Sequence, residues 1–292
     1  MAQIREIKRR IKSINNTSKV THAMELVSAA KMRRSQEAAL ASRPYTYTLS
    51  EILTQVKSRS EKPHTLLTEK ESPKQMMILL TSDRGLVAGL NLNLFREIAK
   101  LDMKNFQFVV VGKKGQNFTT KTGSDLIASF ISDENEPLDL ARTLTKVVVD
   151  AYANSEVNRV SIMYPDFQST VKQIPTLTQV LPIEIEKKEL PTTNNPLRER
   201  SEASQRQTDL LFEPSVDDIL ESILPHYVLT KIYQAILETK ASEHSARMVA
   251  MKNATDAAND LVEDLTLAYN QARQEAITKE LLDIITAQSA FE

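Results

Sequence analysis

TKASEHSARMVAMKNATDAANDLVEDLTLAYNQARQEAITKELLDIITAQSAFE (residues 239–292) contains neither glycine nor proline, and the same is true back to Pro225. If residues 226–292 form one α-helix, its rise of 1.5 Å per residue makes it about 100 Å long, whereas a small domain is about 30 Å across. An element of this length cannot be packed inside its own domain. The stretch therefore predicts a rod that extends beyond the body that carries it.

One face of this predicted helix consists mainly of small apolar side chains. Its members are separated alternately by four and three positions, the spacing of an unbroken heptad seam; they are Arg247, Met251, Ala254, Ala258, Leu261, Leu265, Ala268 and Ala272. Alanine buries about three carbons fewer than leucine, or roughly 2 kcal/mol less per site. The seam is therefore expected to let another surface approach closely without binding it strongly.

The amino-terminal end carries a second long helical stretch. Residues 2–43 contain neither proline nor glycine. Apolar side chains recur there at steps of three and four, which predicts one apolar helix face; they are Ile4, Ile7, Ile11 and Ile14, followed by Val20, Met24 and Val27. The polar stretch NNTSK between the two groups interrupts the register, so the pattern differs from a leucine zipper.

The two ends carry opposite charge. Residues 1–34 hold nine basic residues against two acidic ones, a net charge of +7, and residues 243–292 hold four basic against nine acidic, a net charge of −5. A basic helix beside an acidic helix is electrostatically favourable. The two ends are therefore expected to form an antiparallel pair that flanks whatever lies between them.

The middle of the chain alternates strand-like and helix-like segments. Apolar runs of the strand type are QMMILLTS, FQFVVVG and VNRVSIMY (75–82, 106–112 and 157–164), with amphipathic stretches at 91–101 and 137–155 and a possible further strand pair at 170–185. This alternation is typical of an α/β layer with a partly parallel sheet. The predicted fold is a Rossmann-like α/β domain inserted between long antiparallel coiled-coil helices.

We divide the chain accordingly into four predicted units. Residues 1–60 are the amino-terminal coiled-coil helix and 61–185 the α/β foot domain. Residues 186–216 are polar and contain prolines, as in a linker or extended arm, and 217–292 are the carboxy-terminal coiled-coil helix.

Composition excludes several classes of protein. The net charge of −1 gives no reason to expect a global nucleic-acid footprint, and the absence of cysteine excludes disulfides and thiolate chemistry. No apolar run reaches 18 residues, so no membrane span is expected. The start MAQIREIKRRIKSI lacks the apolar core of a secretory signal, although its basic, acid-poor character is compatible with a transit peptide.

Candidate sites for chemistry are few. LLTSDRGLVAGLN (79–91) lies between a predicted strand and a predicted helix, where a phosphate loop would lie, but it lacks the spacing G-x-x-x-x-G-K-[ST]. A tight turn with Asp83 as a polar cap is the favoured interpretation. The four histidines are scattered, and no catalytic or metal-binding group can be identified, so no cofactor is expected. The basic amino-terminal helix is a candidate for binding nucleic acid or anionic lipid, with a solvated or partner-facing flank as the favoured alternative.

Three motifs resemble one known family, the gamma subunit of rotary, F-type ATP synthases, in its bacterial form. They are IREIKRRIKSINNTSKVTHAMELVSAAKMRRSQ (4–36), SDRGLVAGLN (82–91) and ASEHSARMVAMKNATDAANDLVEDLTLAYNQARQEAITKELLDI (241–284). They occur in the family's order and cover both ends and the middle. Val87 and Ala88 stand where the family motif usually has Cys and Gly, and Thr286 stands where it usually has Gly.

The resemblance implies a function that the residues alone leave open. The chain would be the central rotor shaft, a non-catalytic subunit whose rotation couples transmembrane proton flow to ATP synthesis or hydrolysis. Its partners would be three alpha and three beta subunits, the epsilon subunit and the c-subunit ring, with no nucleic acid and no direct membrane span. It would lie peripherally at the cytoplasmic face of the bacterial plasma membrane. The alternative is an α/β nucleotide-binding protein with helical appendages.

The resemblance also implies a rotor–stator interface. By their motifs, Met24 in HAMEL and Arg247 in SARM are similar to positions at the contact between shaft and stator. Four further residues are similar to a cluster that meets loops of the catalytic subunits: Arg273, Gln274, Thr278 and Glu280.

Overall fold

Two long helices from the chain ends lie antiparallel and form a shaft. The computed structural model describes residues 2–59, 64–132, 136–184 and 215–289. Helix α1 runs Ala2–Arg59 and helix α5 runs Val216–Ser289, with 58 and 74 residues, which correspond to about 87 and 110 Å. The predicted pair of long terminal helices is therefore confirmed. The linker expected at 186–216 lies, up to residue 214, outside the described residues.

Both long helices pass through a proline. Pro44 lies inside α1 and Pro225 inside α5, although a proline removes one backbone hydrogen bond from a helix interior. Packing holds α1 helical beyond the proline, since Leu53 and Val56 are fully buried in the core of the foot. Tertiary contacts thus offset the local cost, and α1 continues well past the proline-free stretch.

The face of α1 towards α5 runs without interruption through the polar stretch. Ser18 donates its hydroxyl proton to Asn259 Oδ1 (2.8 Å), and the hydroxyls of Thr21 and Thr255 are 2.7 Å apart. Ser18 and Thr21 continue the three-and-four spacing of the four isoleucines, so the register is not broken. Val20, Met24 and Val27 instead point outward, with Val20 and Val27 59% and 57% exposed. The prediction that all seven apolar residues form one helix face was wrong, because the isoleucines are half-buried and the second group lies on an exposed face.

The predicted seam of α5 is confirmed at six of its eight positions, which are buried or half-buried and include Arg247 and Ala254. Met251 and Ala258 are buried, and Leu265 and Ala272 are half-buried, as expected. Beyond Ala258 the alternate positions lie one residue further along, because Val262 and Tyr269 are half-buried. Leu261 is 47% exposed and Ala268 is also exposed. Residues three and four positions apart share a helix face. Thr255, four positions after Met251, makes the hydrogen bond to Thr21 of α1.

The chain segment between the two long helices forms a five-stranded sheet. Its order is β3-β2-β1-β4-β5, with the first four strands parallel and β5 antiparallel to β4. The strands are β1 Gln75–Leu80, β2 Phe106–Val111, β3 Asp125–Phe130, β4 Arg159–Phe167 and β5 Gln173–Leu181. The partly parallel α/β sheet is thus confirmed, although β3 was not predicted and residues 170–185 contribute one strand.

Helices cover both faces of the sheet. They are α2 Leu90–Ile98, α3 Lys113–Thr122 and α4 Pro137–Ala153. On one face, Ile78 of the sheet packs in a cluster with Leu144 of α4, Leu53 of α1 and Ile232 of α5. On the other face, Phe108 packs with Leu94 of α2. The first cluster joins the foot to the shaft, because both long helices contribute to it.

A buried glutamate lies where α5 meets β4. Glu238 Oε1 accepts a hydrogen bond from Gln234 Nε2 (2.7 Å), and Arg43 of α1 is 3.6 Å away. Tyr164 and Asp166 of β4 face the same carboxyl. Burial is the largest cause that raises the pKa of Glu238 above its ordinary value of 4.5, and the Asp166 carboxyl raises it further.

We predict a pH-dependent stability that depends on Glu238. The unfolded chain ionises this carboxyl near its ordinary pKa of 4.5, whereas the fold disfavours the charged form. The protonated Glu238 carboxyl therefore contributes its full stabilisation of the fold below pH 4.5, and this contribution is lost as the pH rises through the raised pKa of the folded state. Glu238→Gln should reduce this loss, as measured by urea unfolding of the full chain across the pH range. Glu263→Gln, at an exposed site of the same helix, is the control, and identical pH profiles for Glu238→Gln and the unaltered chain would contradict the prediction.

Candidate functional site

The loop between β1 and α2 is a hydrogen-bonded turn at the carboxyl edge of the sheet. The backbone N–H of Ser82 donates to Asn91 Oδ1 (3.3 Å), and Asn91 Nδ2 donates to Ser82 Oγ (2.7 Å). Ser82 Oγ in turn donates to the carbonyl of Arg84 (2.8 Å). Leu86 and Ala88 adopt left-handed backbone conformations, with φ of 63° and 47°. The turn therefore projects the Leu86 side chain away from the sheet, where it is exposed.

Side chains of this loop occupy the amino terminus of α3. The backbone N–H of Lys113 donates to Asp83 Oδ1 (3.0 Å), and that of Gly115 donates to Thr81 Oγ1 (2.9 Å). A phosphate bound at a helix amino terminus is held by such N–H groups, which here already bond to the protein. The predicted role of Asp83 as a polar cap is confirmed, and the helix that it caps is α3.

Close packing at this point requires glycine. Gly112 has a φ of 99°, and a Cβ atom there would lie 2.2 Å from the carbonyl oxygen of Thr81. No side chain fits such a separation, so the loop and the start of α3 can approach each other only with glycine at this position.

Arg247 is buried between the shaft and the β1–α2 loop. Its side chain is 10% exposed and its Nη2 atom is 2.7 Å from Glu243 Oε1, whose side chain is 5% exposed. Nε and Nη2 each lie 3.4 Å from the carbonyl oxygen of Gly85, and Nη1 lies 3.4 Å from His244 Nδ1. The guanidinium group thus connects α5 to the foot.

Met24 and Arg247 line one groove. This groove, of about 370 Å³, lies between the outer face of α1, the β1–α2 loop and α5. Its apolar walls include Val20, Met24, Val27 and Leu86, and its basic groups include Lys31, Arg84 and Arg247. A groove with apolar walls and basic groups is complementary to an acidic segment that carries an apolar side chain.

The other four predicted interface residues lie far from this groove. Arg273, Gln274, Thr278 and Glu280 are all exposed on α5. Arg273 is 26 positions beyond Arg247 in the sequence, or about 39 Å along the helix. The six residues therefore form two separate regions of the shaft, near the foot and near the far end.

Within the described residues, no group of three or more His, Asp or Glu side chains is arranged to hold a metal ion. Of the helices in the part of the chain that the structure describes, none has the length and apolarity needed to span a bilayer.

Comparison with known proteins identifies the family. A family model described as ATP synthase matches residues 3–291. A curated ATP synthase gamma chain of Opitutus terrae is 40% identical over 294 residues, which cover 99% of each chain. This chain belongs to the ATP synthase gamma-chain family. A gamma chain of Legionella pneumophila (strain Corby) is 37% identical over 301 residues and the full length of both chains.

Solved structures show the same fold. A chain of the Euglena gracilis mitochondrial ATP synthase, from a structure of its OSCP, F1 and c-ring, matches with a TM-score of 0.67 at 18% identity, covering 99% of this chain and 95% of that one. A chain of the Tetrahymena thermophila central stalk and c-ring matches with a TM-score of 0.59 at 20% identity, covering 80% and 99%. The gamma-chain fold of an inserted α/β domain between long helices is thus shared.

The structure also reveals site residues that lie within the quoted motifs but to which the sequence analysis assigned no role. Leu86, Val20 and Val27 complete the groove around Met24, and Glu243 fixes Arg247. Glu243 precedes Arg247 by four positions, which is the spacing of an ion pair on one helix face, so the pair was readable from the sequence. The groove was not, because it combines residues from three separate elements.

We predict that Ala88→Gly stabilises this gamma chain. Ala88 has a φ of 47°, and a non-glycine residue in this region costs roughly 1–2 kcal/mol. Glycine removes that strain but gains about 0.4–1 kcal/mol of unfolded-state entropy. The free energy of unfolding should rise by about 0.5–1 kcal/mol, as measured by urea unfolding. Ala99→Gly, at a position where φ is −65°, should lower the free energy of unfolding. An equal decrease for Ala88→Gly and Ala99→Gly would show that Ala88 is not strained.

Proposed function

We propose that this chain is the central rotor shaft of an F-type ATP synthase, where its rotation couples transmembrane proton flow to ATP synthesis or hydrolysis in a ring of three alpha and three beta subunits. Membership of the gamma-chain family supports the proposal. The same proposal places the foot domain against the epsilon subunit and the c-subunit ring, at the cytoplasmic face of the bacterial plasma membrane.

The observation that carries the proposal is the length and exposure of α5. With 74 residues it extends far beyond the foot, and its last turns present large apolar side chains that are 51–60% exposed: Ile277, Leu281, Leu282, Ile284 and Ile285. Contiguous exposed apolar surface of this kind marks a protein interface. A sheath of alpha and beta subunits around the shaft would cover it.

An asymmetric shaft also supports the coupling mechanism. Helix α5 exposes leucines and isoleucines in its last turns, whereas the exposed apolar residues of α1 include Val20, Leu26 and Val27, so the two helices present different surfaces. A single asymmetric chain inside a ring of three identical pairs removes their equivalence. Each catalytic site then experiences a different face of the shaft, and rotation changes the relative stability of its conformations.

We propose two contact regions between shaft and ring. The first is the groove that contains Met24 and Arg247, where cations beside apolar walls are complementary to an acidic stator loop. The second is the exposed cluster of Arg273, Gln274, Thr278 and Glu280, whose polar groups are available for hydrogen bonds to loops of the ring. The first would transmit force and the second would favour particular angular positions.

We also propose that this subunit is not itself catalytic. The alternative, an α/β nucleotide-binding protein, requires free N–H groups at a helix amino terminus near the sheet edge. At α3 the N–H groups of Lys113 and Gly115 bond to Asp83 and Thr81. This argues against a phosphate site there, and isothermal titration of the isolated chain with ATP should accordingly show no binding.

The function is tested by assembly with and without this chain. The alpha and beta subunits are co-expressed with epsilon and the membrane sector, and proton pumping driven by ATP is measured in inverted vesicles. We expect pumping only when this chain is present, since without the shaft nothing connects the ring to the membrane sector. Equal pumping in its absence would refute the proposed function.

We predict that Met24→Lys reduces coupling. Met24 lies in a groove that already contains the cations Lys31, Arg84 and Arg247. Another cation in those apolar walls changes the electrostatic contact with the stator, and we expect the ratio of protons pumped to ATP hydrolysed to fall by about twofold or more. Met24→Leu keeps the apolar walls and should couple normally. Normal coupling by Met24→Lys would contradict this role for the groove.

A further inference from the structure

Helix α5 crosses the carboxyl edge of the sheet at its topological switch point. In the order β3-β2-β1-β4-β5 the chain proceeds outward from β1 in one direction and then resumes at β4 on the other side of β1. Open α/β sheets bind their ligands in the crevice outside the carboxyl ends of the strands at such a point. Here the crevice between the ends of β1 and β4 receives a segment of α5 comprising residues 242–247.

Two buried serines of this segment bond to the β4 side of the crevice. Ser242 Oγ donates to the carbonyl of Pro165 (2.8 Å), and Ser245 Oγ donates to the carbonyl of Thr170 (2.8 Å). Both serines have a relative exposure of 0%. Pro165 lies near the end of β4, and Thr170 lies in the turn before β5, so the serines contact two successive points of the hairpin.

The β1 side of the crevice is bonded through Arg247. Its Nε and Nη2 atoms are directed at the carbonyl of Gly85, while Glu243 holds the same guanidinium group at 2.7 Å. Glu243 therefore acts on the foot through Arg247 and fixes its position. A charged donor strengthens such a bond, and a buried guanidinium needs a carboxylate partner.

All three contacts share one property. The donors are side chains of the shaft, and the acceptors are backbone carbonyls of the foot: Gly85, Pro165 and Thr170. Backbone carbonyls are fixed by the sheet and its turns, so they hold the donors on both sides of α5 against rotation. An apolar contact of the same area would not specify direction, since hydrophobic attraction is non-directional.

The position of these contacts along α5 is also informative. Below them, Ile232 and Ile236 belong to the apolar core of the foot. Above them, from Met251 onward, the seam of α5 faces α1. Residues 242–247 thus lie where α5 leaves the foot, and they add directional hydrogen bonds to the apolar cluster through which both long helices are joined to the foot.

We propose that the ligand crevice of this α/β fold has become a clamp on the chain's own helix, with Ser242, Ser245 and the Glu243–Arg247 pair as the residues that transmit torque between foot and shaft. This inference rests on the proposed rotor function. It assigns Ser242, Ser245 and Glu243 as positioning residues that are distinct from the contact surface with the stator.

The test compares Ser242→Ala/Ser245→Ala with Ser222→Ala in the assembled complex. Ser222 lies on the same helix, and its hydroxyl bonds within that helix to the carbonyl of Ile219 (3.0 Å). For the double variant we expect amide exchange in residues 168–172 to accelerate about tenfold, because two buried bonds are lost. ATP hydrolysis should be retained while protons pumped per ATP fall about twofold or more, because torque is lost at the joint.

A second variant tests the β1 side of the crevice, with amide exchange as a readout besides activity. Glu243→Gln preserves side-chain volume but weakens the hold on Arg247, and we expect faster exchange in residues 84–89 together with reduced coupling. If Ser222→Ala and the unaltered chain pump normally and both clamp variants also pump normally, the clamp is refuted. If the unaltered chain does not support pumping, the rotor function fails instead, so the two failures can be distinguished.

Discussion

The structure depends on one constraint: a helix of 74 residues must be stabilised by different neighbours along its length. Near its start, α5 contributes apolar residues such as Leu224 and Ile232 to the core of the foot. It then contacts the strand ends through buried serines and an ion pair, continues against α1 through a seam of mixed size that includes Met251, Thr255 and Ala258, and ends with exposed leucines and isoleucines. Its composition changes at each boundary because the chemistry of the neighbouring surface changes.

The contact between α1 and α5 includes polar side chains where the two helices meet. Ser18 bonds to the exposed Asn259, and the half-buried Thr21 bonds to the buried Thr255. Such bonds contribute about 1 kcal/mol each but require one alignment of the two helices. Stiffness of the shaft then comes mainly from the continuous backbone hydrogen bonds of each helix, and the side chains between them set the register.

How much of this was predictable depended on whether the pattern was local. The terminal helices were predicted from long stretches without glycine or proline, and strands β1, β2 and β4 from continuous apolar runs. The seam was predicted wrongly at Leu261 and Ala268, because positions three and four residues apart share a helix face and the sequence of one helix does not show which of them its partner contacts. Strand β3 was missed because its residues are alternately exposed at the sheet edge.

The candidate site was predictable only through motifs. Met24 and Arg247 are 223 positions apart in the sequence and meet through Leu86, whose left-handed backbone conformation no local propensity indicates. The distal cluster at Arg273 is exposed, so nothing in the fold of a single chain distinguishes it from ordinary helix surface. Residues of this kind acquire a role only from a partner.

The α/β domain illustrates why fold class alone is a poor guide to function. An open parallel sheet with a switch point between β1 and β4 favours a nucleotide-binding interpretation. Two features of the site oppose it: Asp83 and Thr81 bond to the N–H groups of α3, and Ser242, Ser245 and Arg247 bond to backbone carbonyls beside the strand ends. The same edge geometry that elsewhere orients a ligand here orients a helix. Because the sheet is rigid and its carbonyls are fixed, it can hold the base of a shaft in one direction, and that is what a rotating subunit requires of its foot.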